Sequence, residues 1–126
     1  MRPVVYDTGV LIAADRGQRR TWAEHRVRLE AGIIPLVPSP VVAQASRSPK
    51  QAQMRLLLRG CEVVAFDETA AHLAGSLLGK TRTKDVVDAA VAVLSIRRGA
   101  DVVSDDAEDI RRLLSAAHAK VSIIDV

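Results

Sequence analysis

The sequence predicts an α/β fold, a three-layer sandwich with a central five-stranded parallel sheet, in one domain spanning residues 1–126. Three observations lead there. Five short apolar runs recur along the chain, too continuous to belong to strands with one wet face. Helical spacing fills the intervals between them, and strands that alternate with helices imply a parallel sheet covered on both sides. The length allows one hydrophobic core and falls short of two ordinary ones.

The first run, Pro3 to Tyr6, leads through Asp7-Thr8-Gly9 into the apolar stretch Val10 to Ala14, so Asp7 stands where a strand becomes a helix. A second helix is expected from about Arg19 to Ala31, with Gly32 as its stop, and a second strand from Ile33 to Val37. Ser39-Pro40 reads as a cap followed by a first-turn proline and opens a third helix to about Ser46. Ser48-Pro49 repeats the signal for a fourth helix ending at Leu58 before Gly60. Cys61 to Phe66 is the third strand, and Asp67 caps a helix from Glu68 to Gly79. After the basic link Lys80 to Lys84, a helix from Asp85 to Arg98 is apolar nearly all round and is expected at the centre. Ala100 to Ser104, a helix from Asp106 to about Ala117, and Val121 to Ile124 complete the pattern.

Apolar residues at 48% and charged residues at 26% exclude a wholly disordered chain. No apolar run approaches the roughly 18 residues of a membrane span, and the first seven residues do not read as a leader, so the expected compartment is the cytoplasm. A single cysteine, Cys61, excludes an internal disulfide. The net charge is +3, carried by 14 Arg and 4 Lys against 15 acids, with basic clusters such as Arg19-Arg20 and Arg97-Arg98. Those clusters permit a phosphate-binding surface. With Tyr6, Trp22 and Phe66 as the whole aromatic complement, nucleic acid would be held by its backbone instead of by base stacking.

Asp7 follows the first strand and Asp106 the fourth, while Asp85 and Asp88 lie three apart at the head of the most apolar helix. Each acid alone has a plain explanation, because Asp is a favoured helix cap. In combination they are expected to converge beyond the carboxyl ends of the strands, where open parallel sheets place their sites. Carboxylates gathered there repel one another, and a hard divalent cation such as Mg²⁺ or Mn²⁺ is their natural neutraliser. Other chemistries lack support. Gly79-Lys80-Thr81 closes a helix and has no phosphate loop before it; His25, His72, His118 and Cys61 lack zinc-ligand spacing; no nucleophile elbow exists. The adjacent Asp105 and Asp106 prompt comparison with receiver phosphoacceptor domains, but there the acidic pair follows the first strand, not the fourth.

Four stretches in order resemble the PIN-domain family, and within it the VapC-type toxin ribonucleases. They are Val4-Val5-Tyr6-Asp7-Thr8, Val41-Val42-Ala43-Gln44-Ala45, Asp85-Val86-Val87-Asp88-Ala89, and Val102 through Asp109-Ile110. The resemblance covers essentially the whole chain and implies a PIN-like sandwich and an endoribonuclease using Mg²⁺ or Mn²⁺. By the same resemblance Asp7, Asp85 and Asp106 correspond to the acidic metal site, and Thr8 and Ser104 to its supporting hydroxyls. Gln44 stands where the family usually carries Glu; an amide can position a water beside the cation but brings no charge, and Asp88 is expected to supply the missing anion. Arg16, Arg47, Arg82 and Lys84 are expected to hold the RNA backbone. A homodimer and an inhibitory antitoxin partner are implied by resemblance alone. The rival expectation is a PIN-fold module that binds metal or RNA with weak or no cleavage.

Overall fold

The computed structural model describes residues 2–126. In chain order the first half comprises β1 (Val4–Tyr6), α1 (Thr8–Asp15), α2 (Arg19–Glu30), β2 (Leu36–Pro38), α3 (Ser39–Ala45) and α4 (Ala52–Arg59). The second half comprises β3 (Glu62–Val64), α5 (Glu68–Thr81), α6 (Val86–Arg98), β4 (Asp101–Ser104), α7 (Glu108–Ala116) and β5 (Ile123–Asp125). All five strands pair in parallel, in the order β3-β2-β1-β4-β5. The expected α/β architecture with its five-stranded parallel sheet is the one observed.

The central strands are the most apolar, as burial on both faces requires: Val4, Val5 and Tyr6 of β1 and Val102 and Val103 of β4 are all buried. Against them lies α6, in contact with β1, β2 and β4 and flanked by α3, α5 and α7. Its residues Ala89 to Ser95 are buried without a break, which explains why its sequence shows so little polar face. Gly99 ends the helix at φ +60°, a left-handed position that costs glycine nothing. No helix among the described residues is long and apolar enough to cross a membrane.

On the other side of the sheet, α2 is fixed to β1 by a buried polar chain. Arg28 donates to the Tyr6 hydroxyl at 3.2 Å, and that hydroxyl lies 2.8 Å from His25 Nδ1. With the hydroxyl proton directed to Nδ1, the imidazole proton sits on Nε2. Burial pushes the Tyr6 phenol up to about 12, and burial followed by the Arg28 charge lowers His25.

Several boundaries differ from the sequence reading. The Ile33 N–H closes the end of α2 on Arg28 O at 2.9 Å, so β2 begins only at Leu36. Ser39 does not cap α3; it is the first helical residue, and its hydroxyl accepts the Phe66 N–H at 3.1 Å. Ser48-Pro49 does not start α4 either. Gln51 takes the N–H groups of Arg47 and Ser48 on its Oε1 and donates to Ala45 O, which holds a turn until Ala52. The fifth helix passes Gly79 and stops at Arg82, which adopts φ 56°. At the third strand only Glu62 to Val64 enters the ladder, as an exposed edge.

Candidate functional site

The sheet changes direction at β1. From β1 the chain passes outward to β2 and β3, then returns across to β4 on the opposite flank, which makes the carboxyl ends of β1 and β4 the switch point of the topology. Tyr6 is in register with Val103, so the residues that follow, Asp7 and Ser104, are brought side by side across 97 positions of sequence.

Asp7 is only 6% exposed and caps α1. Its Oδ1 accepts the Thr8 N–H at 2.7 Å and its Oδ2 accepts the Ser104 hydroxyl at 2.8 Å. Ser104, fully buried, accepts in turn the Asp106 N–H at 3.1 Å, which fixes the turn after β4. Burial raises the Asp7 carboxyl above its usual range, with the charges of Asp105 and Asp85 adding to it and the two hydrogen bonds opposing it.

Asp85 is the N-cap of α6 and accepts the Asp88 N–H at 3.0 Å. The helix therefore starts one residue later than expected: Asp85 precedes it and is exposed, while Asp88 in the first turn is half-buried. Burial, reinforced by Asp85, Asp7, Asp109 and Asp106, pushes the Asp88 carboxyl up to about 7. Gln44, exposed on α3, accepts the Thr8 hydroxyl on Oε1 at 2.5 Å, which leaves its NH₂ group as a donor.

Asp7, Thr8, Gln44, Asp85, Asp88 and Asp106 line one open cleft of about 270 Å³, together with Gly9, Ile12 and Asp105. The sequence reading thus named every acid of the cleft as a site residue except Asp105. The signal for it was present in the doublet Asp105-Asp106 after an apolar strand, but nothing in the spacing shows which of two successive side chains turns inward. Ser104 supports the cleft from behind, buried beneath Asp7. Of the expected cations none lines the cleft. Lys84 and Arg47 are near in sequence to Asp85 and Gln44, and Arg47 donates to Ala43 O and Ser46 O. Arg82 ends α5, and Arg16 follows the last turn of α1, about 12 Å along the axis from Thr8. Cys61 stands apart from the cleft, its thiol pushed up to about 12 by burial and donating to Leu57 O.

The donor chemistry suits a hard divalent cation: five carboxylates and an amide, all oxygen donors, and among the described residues none of the five is ion-paired. Among the described residues no three of these acids stand close enough to form a ready-made cage. These like charges repel one another, and Asp7 and Asp85 are engaged as helix caps.

The PIN domain family matches residues 4–116. Among solved structures, VapBC2 from Rickettsia felis bound to a DNA fragment from their promoter is similar at 15% identity and a TM-score of 0.73, over 98% of each chain. DNA-bound VapBC from Salmonella typhimurium is similar at 20% identity and 0.70, over 99% of this chain and 98% of that one. A toxin–antitoxin complex from Klebsiella pneumoniae is similar at 16% identity and 0.65, over 84% and 88%. At these identities the structures establish a shared fold. Comparison with curated proteins by sequence gives no match.

Proposed function

Because this chain belongs to the PIN domain family, we propose that it is a cytoplasmic endoribonuclease that uses Mg²⁺ or Mn²⁺, and that it acts as the toxin of a toxin–antitoxin pair. The observation that carries the reading is the gathering of Asp7, Asp85, Asp88 and Asp106 with Gln44 in one cleft at the switch point of a parallel sheet, with no basic side chain on its lining. PIN domains are generally nucleases, and proteins of this fold occur in toxin–antitoxin complexes. An antitoxin partner and a homodimer belong to the same proposal.

Asp7, Asp85, Asp88 and Asp106 would hold the cation. When bound, a divalent cation supplies Lewis-acid activation of water and stabilises charge on the leaving oxygen of a phosphodiester. Ser104 fixes the Asp7 carboxylate through Oδ2 and the Asp106 backbone through its N–H, so one hydroxyl sets the positions of two acids. Thr8 turns Gln44 by occupying its Oε1, and the Gln44 NH₂ group is then a donor for a water or a phosphate oxygen. Arg47 and Lys84 would grip the RNA backbone beside the cleft, with Arg16 and Arg82 serving more distant phosphates.

The test is cleavage of structured RNA with Mg²⁺ or Mn²⁺, with EDTA, and with Asp7→Asn and Asp106→Asn. Each variant is expected to lose about a hundredfold or more in rate, and undiminished cleavage by either would remove that residue from the site. A second reading, a metal- or RNA-binding module with weak or no cleavage, is favoured by the neutral Gln44 and the lack of a ready-made cage among the described residues. Saturable Mn²⁺ binding without cleavage across a broad RNA panel would select it.

A further inference from the structure

We propose that Asp105 is a cation-binding carboxylate of the cleft and supplies the negative charge that Gln44 does not; this rests on the metal-dependent reading above. Asp105 lines the same cleft as Gln44 and comes from a different element, after β4 instead of on α3. Its carboxylate lies against Gly9 so closely that a Cβ at that position would collide with all three of its outer atoms. The first turn of α1 is thus bare where Asp105 enters. Asp105 has no hydrogen-bond or ion-pair partner among the described residues, in contrast to Asp7 and Asp85, which are engaged as caps. The bond from the Asp106 N–H to Ser104 fixes the turn that carries residues 105 and 106 to the cleft. With Asp105 counted, the cleft carries as many carboxylates as it would with a Glu at position 44 and no acid at 105. Its charge also acts on Asp7, where it is the foremost of the like charges.

A purely structural role is the competing explanation. The first turn of α1 contains no acid of its own, and a carboxylate across from it could simply complement the helix dipole. Calorimetric titration with Mn²⁺ separates the two, using the metal-stripped protein and its Asp105→Asn, Gln44→Glu, Asp105→Asn/Gln44→Glu and Gly9→Ala variants, with melts in EDTA alongside. Asp105→Asn is expected to weaken Mn²⁺ binding by about tenfold or more, and adding Gln44→Glu to restore most of the loss. Gly9→Ala, which improves helix propensity while displacing the Asp105 carboxylate, is expected to weaken Mn²⁺ binding without lowering the melting temperature. Unchanged affinity in Asp105→Asn, or a double variant no better than the single, would overturn the inference and leave the metal reading standing. Failure of the unsubstituted protein to bind Mn²⁺ saturably would overturn both.

Discussion

At Asp88, burial and four neighbouring acids act in the same direction, so in the absence of a cation its carboxyl holds a proton up to about pH 7. The unfolded chain would release that proton near its ordinary value of about 4. A raised folded value means that the stability from this group is fully present below about pH 4 and is lost as the pH climbs through about 7. Melts in EDTA should therefore show Asp88→Asn gaining on the native chain between about pH 4 and pH 7. Parallel pH profiles would mean that Asp88 titrates as an ordinary carboxyl. Mn²⁺ added at the upper pH is expected to narrow the difference, because a cation offsets the same repulsion that protonation relieves. Single residues also mark how far the sequence could be read. Asp7 is recognisable because it directly follows an apolar run, and Asp106 because it stands two residues beyond Ser104 in the stretch that resembles the PIN-domain ending. Asp105 is not singled out by spacing, because its place in the cleft depends on the turn after β4 and on the bare surface at Gly9, neither of which leaves a periodic trace.

Among elements, α2 shows how a surface helix is held by polar bonds at its buried face. Thr21 and His25 are its only buried residues, and His25 meets Tyr6 of β1 at one ring nitrogen while the Arg28 guanidinium stands 5.5 Å above the Tyr6 ring. Protonating His25 would turn that acceptor into a donor facing a hydroxyl already engaged by Arg28. The folded value of His25 is lowered, so its contribution is present above the unfolded value of about 6.5 and is lost as the pH falls through the folded one. Tyr6→Phe is expected to destabilise the protein by about 1–3 kcal/mol, measured by denaturant unfolding near neutral pH, and to flatten the acid limb of its stability profile. An unchanged acid limb would show that His25 is not what titrates there. The helix itself was expected from the sequence, but its partner strand was not, since helical spacing never states against what a helix packs. Helix starts were misread at Ser39 and Pro49 for a related reason: Ser39 serves a distant backbone N–H, and Gln51 captures the turn that Pro49 was expected to open.

At the scale of the whole molecule, a chain of net charge +3 gathers five of its 15 acids in one cleft whose lining holds no Lys or Arg. If RNA lies across that cleft, Arg47→Ala and Lys84→Ala should weaken binding evenly across RNA sequences, each lowering the salt dependence of log K by roughly one unit or less. An effect confined to one sequence would assign the residue to base reading instead. The α/β class was legible because strand and helix periods alternate without ambiguity. Strand order was not, because the pairing of β1 with β4 is a choice between distant segments, and it is this pairing that creates the cleft.

That pairing has a temporal consequence during synthesis. Asp7 is made well before Ser104, which fixes it, and before Asp106. A nascent chain that has reached α6 already holds most of its hydrophobic core and still lacks one wall of its cleft. The cleft is therefore complete only once β4 has paired with β1.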